Sequence, residues 1–154
     1  MNQYLESFCD IFAEAIERYR FDVNATDEDT IVLAQKTYQL KFVMWREAVE
    51  VSFCELKTDN SVLVYNVRDF IITQMKDEDR AIPENAVQPG GSEVYKRNIC
   101  SLFHFSNALK NRLPSMLKGN MDWLELYEKS EWYREPKYEK CSVKCHAKKD
   151  DLID

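Results

Sequence analysis

With 154 residues, 45% hydrophobic and 12% aromatic, the chain has the length of one domain and enough apolar side chains for a core, which excludes a disordered acidic tail. Only 3 Gly and 4 Pro exclude a loop-dominated or repeat architecture, and no apolar run approaches the roughly 18 residues of a membrane helix. The net charge of −6 is concentrated in residues 1–35, where eight acids meet only Arg18 and Arg20; no basic stripe marks a direct nucleic-acid binder.

In chain order, the spacing predicts an amphipathic helix over Asn2 to Arg20. Tyr4, Leu5, Phe8, Ile11, Phe12, Ala15, Ile16 and Tyr19 recur every three or four residues, with Glu6, Asp10, Glu14 and Glu17 largely opposite. Asp22 to Asp29 reads as a loop. Its Asp27-Glu28-Asp29 cluster lacks the Gly and the spaced oxygen ligands of a calcium loop.

Four strands follow, over about residues 30–67. Thr30 to Gln35 is the first. In Thr37 to Arg46, Tyr38, Leu40, Phe42 and Met44 fall on one face, and Gln39, Lys41, Val43 and Trp45 on the other. Glu47 to Leu56 repeats the alternation and closes a tight hairpin with its predecessor. Ser61 to Tyr65 is the fourth strand, after the turn signal Lys57-Thr-Asp-Asn60. Short connections make neighbouring strands antiparallel, and helices are expected on one face.

Asn66 is positioned to cap a helix over Val67 to Asp77. Ala81 to Gly91, with Pro83, Pro89 and Gly90-Gly91, is a loop without the pattern of a phosphate loop. Ser92 opens a helix to about Leu113 with a broad apolar arc, and His104 sits inside that arc. Pro114 suits a short helix closed by Gly119. Asn120 can cap a last helix over Met121 to Tyr133, which Glu135-Pro136 stops. The expected fold is therefore α+β. One helix precedes a four-stranded antiparallel sheet and three or so helices follow and pack on it. Residues 1–135 form the domain and 136–154 a polar tail.

Few residues suggest chemistry. Cys9, Cys54 and Cys100 lie in apolar patterns, where a free thiol acts as a small buried hydrophobe. Cys141, Cys145 and His146 place three ligand-type side chains within six residues, but a closed zinc site takes four; no metal or cofactor is expected. Without a basic region leading into an apolar block at Met1-Asn-Gln-Tyr-Leu-Glu, the expected compartment is the cytoplasm. An acidic face would attract a basic partner and speed the encounter. The exposed carboxylates best placed for that role are Asp22, Asp27, Glu28 and Asp29, with Asp77, Glu78 and Asp79 in reserve.

Several segments together resemble one class of protein. They are the leading aromatic helix, the Tyr38-to-Phe53 hairpin, Tyr65-Asn-Val-Arg-Asp-Phe70 running into a helix, and Leu113-Pro-Ser-Met-Leu-Lys-Gly-Asn-Met-Asp-Trp123. Over roughly residues 4–127 this order of elements resembles bacterial immunity proteins of polymorphic toxin and contact-dependent growth inhibition systems. The resemblance implies a small cytoplasmic protein without catalytic activity that binds one cognate toxin domain, often a nuclease, and blocks its active site. Two other readings stay open. One is a small enzyme or ligand-binding module with His104, Glu50 and Glu55 in a sheet–helix cleft. The other is a phage-encoded acidic inhibitor of a host nucleic-acid machine.

Overall fold

Alternation in the central hairpin sets the architecture. The computed structural model describes residues 1–84, 86–87 and 90–140. Strands β3 (Tyr38–Met44) and β4 (Val49–Leu56) pair antiparallel, with Leu40 opposite Phe53 and Phe42 opposite Val51. Tyr38, Leu40, Phe42 and Met44 are all buried, while Gln39, Lys41 and Val43 on the other face are half-buried. Strands β2 (Thr30–Ala34) and β5 (Ser61–Asn66) flank this pair.

The sheet has six strands, not four, in the sequential order β1 to β6. The stretch expected as a loop contains β1 (Asp22–Ala25), which pairs with β2 so that Val23 lies opposite Leu33. The expected tail contributes β6 (Lys137–Lys140), paired with β5. Both added strands are four-residue edges. Four residues are too few for propensity or alternation to reveal a strand; the neighbouring strand's open hydrogen-bonding groups organise them.

The helices cover one face. The expected N-terminal helix is divided into α1 (Leu5–Ile11) and α2 (Ala13–Tyr19). Phe12 stands between them, stacked on Phe8 at 4.4 Å and tilted against Phe42 at 5.0 Å. The backbone ladder continues through it: its N–H donates to Phe8 and its carbonyl accepts from Ile16. Arg20, in the left-handed conformation at φ 57°, ends α2. After the sheet come α3 (Arg68–Gln74), a 3-10 turn over Asp77–Arg80, α4 (Glu93–Arg112), α5 (Pro114–Lys118) and α6 (Leu124–Lys129). Two helices thus precede the five leading strands and four follow, rather than one and three.

Local signals place several of these ends. Ser92 Oγ accepts from the Tyr95 N–H at 3.0 Å and caps α4. Asn66 Oδ1 accepts from the Arg68 N–H at 3.3 Å, although Val67 occupies the cap position of α3. Gly119 closes α5 at φ 82°. A Cβ there would lie 2.1 Å from Cε1 of Tyr38, so the backbone–ring approach requires glycine as much as the dihedral does. Tyr38 is held in place by its hydroxyl, which donates to the Leu117 carbonyl at 2.7 Å. The core continues through Phe53, Tyr65 and Trp123, whose rings meet edge to face, to Tyr127 and Phe70.

Candidate functional site

One end of the sheet gathers the exposed features of interest. In a sequential antiparallel sheet the β1–β2 and β3–β4 connections fall at the same end. The β3–β4 connection is Trp45-Arg46-Glu47-Ala48, closed by the Trp45 N–H donating to the Ala48 carbonyl at 2.9 Å. Its backbone is fixed from outside. Asn98 Nδ2 of α4 donates to the Trp45 carbonyl at 3.0 Å and to Tyr4 Oη at 3.1 Å. The Arg97 guanidinium donates to the Arg46 carbonyl. At the base of the hairpin, Arg68 Nε donates to the Val49 carbonyl at 2.9 Å. The connection is thus rigid, yet Trp45 is 50% exposed, and Arg46 and Glu47 are exposed beside it.

The acidic β1–β2 connection is adjacent. The Met44 N–H donates to the Asp29 carbonyl at 2.7 Å, one residue before Trp45. Asp27 Oδ1 accepts from the Asp29 N–H at 2.9 Å, and Asn2 Nδ2 donates to the Asp27 carbonyl at 3.0 Å. These bonds fix a tight turn in which Asp27 and Glu28 are exposed and Asp29 is half-buried. Three carboxylates and an exposed indole thereby share one end of the molecule.

The other acidic candidates lie elsewhere. Asp22 is exposed at the opposite end of β1, about 10 Å from Ala25 at the usual strand rise. Asp77 and Glu78 are exposed on the 3-10 turn against the C-terminal half of α4, where Glu78 meets Arg112 at 3.1 Å. Asp79 is corrected: expected at the surface, it is fully buried. Its carboxylate accepts from Arg112 Nε, Asn111 Nδ2 and the Lys76 N–H, each at 2.8 Å. Burial alone would raise its pKa, but these donors and the Arg112 charge outweigh that and hold it at about 2. Asp79 is a structural anion, and its side-chain partners Asn111 and Arg112 lie too far along the chain for spacing to disclose them.

The His104 cluster is not assembled. Burial and the charge of Arg80 lower the His104 pKa, opposed by a hydrogen bond to the Arg80 backbone. Neither Glu50 nor Glu55 is the charge acting on it. Glu50 is bonded by Asn66 at 3.5 Å and Glu55 pairs with Lys57 at 3.2 Å; five residues apart on β4, they sit on opposite faces. Cys54 is buried, and Cys9 and Cys100 are half-buried. Among the described residues no group of three or more His, Cys, Asp or Glu is placed to hold a metal ion. Cys141, Cys145 and His146 lie outside the described residues. No helix among the described residues is long and apolar enough to cross a membrane.

Comparison of the chain with protein-family models, curated proteins and solved structures finds no match. The site thus stands on its geometry. Two of its positioning residues, Arg97 and Asn98, escaped sequence reasoning. A polar Asn98 directly beside Ile99 on the apolar arc of α4 was the available signal, because a buried amide needs partners.

Proposed function

We propose that this chain is a non-catalytic binding protein that neutralises a cognate bacterial toxin domain, a nuclease, by direct contact. The observation that carries this reading is the shared position of Trp45 and the acidic turn on a braced end of the sheet. A tryptophan projecting from fixed backbone loses little freedom on docking and can serve as the desolvated anchor of an interface. Asp27, Glu28 and Asp29 beside it form an acidic rim. A nuclease presents cationic groups where it holds phosphates, so it is complementary to that rim. The resemblance in element order to immunity proteins of contact-dependent growth inhibition systems points the same way.

The test is rescue. The gene directly upstream is expected to encode a large secreted protein with a variable C-terminal domain. Expressed in the cytoplasm, that domain should kill cells, and co-expression of this chain should restore growth. Rescue should fail for Trp45→Ala combined with Asp27→Asn and Glu28→Gln. Death despite wild-type co-expression would remove the proposal.

A further inference from the structure

A concave feature lies far from Trp45, at the other end of α4. Residues Glu14, Ala15, Arg18 and Tyr19 of α2 form one wall, and Lys110 of α4 and Lys118 of α5 help form the other, around about 290 Å³. We propose that this groove binds a small phosphate-bearing dianion, inorganic phosphate or a phosphomonoester.

The charge balance supports this assignment. Three cationic side chains and one carboxylate converge on the groove. Lys110 Nζ sits 3.2 Å from Glu14 Oε1, which neutralises one cation. Among the described residues neither Arg18 nor Lys118 is paired with a carboxylate. Two uncompensated positive charges therefore face one cavity, in a chain whose net charge is −6. Free lysines on convex surface are unremarkable. Here the groups line a concavity drawn from three helices.

Shape narrows the ligand. Ala15, 5% exposed, lines the α2 wall of the groove beside Glu14 and Arg18. The Arg18 guanidinium rests 5.7 Å from the Tyr19 ring centroid, which limits its range of orientations. A guanidinium fork binds two oxygens of a phosphate at once, and an ammonium supplies a point charge. The volume is at the low end of ligand pockets, about 300 Å³, which suits a small ligand. From Asn98 to Lys110 α4 rises about 18 Å, so this site is separate from the toxin-facing end and independent of that proposal.

Isothermal titration of the full chain with inorganic phosphate and, separately, with glycerol 3-phosphate tests it at fixed ionic strength in chloride. The expected result is saturable one-site binding of at least one of them with Kd under about 1 mM. Arg18→Ala and Lys118→Ala should each weaken it about tenfold, and Glu14→Gln should tighten it by freeing Lys110. Tighter binding of glycerol phosphate assigns the site to phosphomonoesters, and tighter phosphate binding assigns it to the free ion. Absence of saturation up to about 10 mM with both, or binding unchanged in both alanine variants, overturns the proposal.

Discussion

Replacing Asp79 by Asn tests the most heavily bonded polar group described above. The carboxylate is sealed from solvent and takes donors from Arg112, Asn111 and the Lys76 amide. A carboxyl held at about 2 rather than the ordinary 3.8 stabilises the fold by at most about 2.5 kcal/mol at neutral pH. Asp77, Glu78 and Arg80 nearby are exposed, so solvent screening trims this to about 1–2 kcal/mol. Loss of the anion also leaves the Arg112 guanidinium, 19% exposed, with Glu78 as its remaining acid, at about 1 kcal/mol more. The expected total is about 2–3 kcal/mol, or roughly 5–10 °C in Tm for a domain of this size. Urea unfolding should show a lower midpoint with an unchanged slope. The sign with pH follows from the depressed pKa. The carboxylate's contribution is complete above the unfolded value of 3.8 and is lost as pH falls toward 2. The gap between wild type and variant should therefore be constant from pH 7 to about 5 and narrow below about 4. A variant within about 0.5 kcal/mol of wild type at pH 7, or a gap that closes between pH 7 and 5, would refute the reasoning.

Other substitutions probe separate links. Gly119→Ala adds a left-handed strain and a Cβ 2.1 Å from the Tyr38 ring; a loss of about 3 kcal/mol or more is expected in thermal unfolding, partly recovered when Tyr38→Leu is added. Asn98→Ala removes the donors to the Trp45 carbonyl and Tyr4 and should lower urea stability by about 2 kcal/mol. Since burial and Arg80 depress the His104 pKa, the unfolded chain takes up this proton first as pH falls below about 6.5. Stability should decline as pH falls below about 6.5, and His104→Gln should reduce that slope.

The central hairpin and the helix ends were legible because each rests on a local rule. Tyr38, Leu40, Phe42 and Met44 alternate; Ser92 offers an oxygen where α4 has free N–H groups; Gly119 stands where a left-handed residue is needed. The edge strands were hidden because Asp22–Ala25 and Lys137–Lys140 are only four residues long, too short for alternation to stand out, and acquire order from β2 and β5. Acid content alone could not sort the carboxylates. Asp27 and Glu28 remain exposed, whereas Asp79 is claimed by Asn111 and Arg112, more than thirty residues along the chain. The juxtaposition of the acidic turn with Trp45 likewise depends on the pairing of β2 with β3, which the Met44 N–H to the Asp29 carbonyl extends by one bond.

The central claim concerns that end of the sheet, and the most direct measurement is the affinity of this chain for the adjacently encoded toxin domain. Surface plasmon resonance should compare wild type with Trp45→Ala, with Asp27→Asn/Glu28→Gln, and with Asp77→Asn at the distant 3-10 turn. Trp45→Ala should weaken binding by about a hundredfold, chiefly through faster dissociation, as befits an anchor worth about 3 kcal/mol. The acidic double variant should slow association and flatten its salt dependence, and Asp77→Asn should leave both rates unchanged. Wild-type affinity in a folded Trp45→Ala variant would contradict the account.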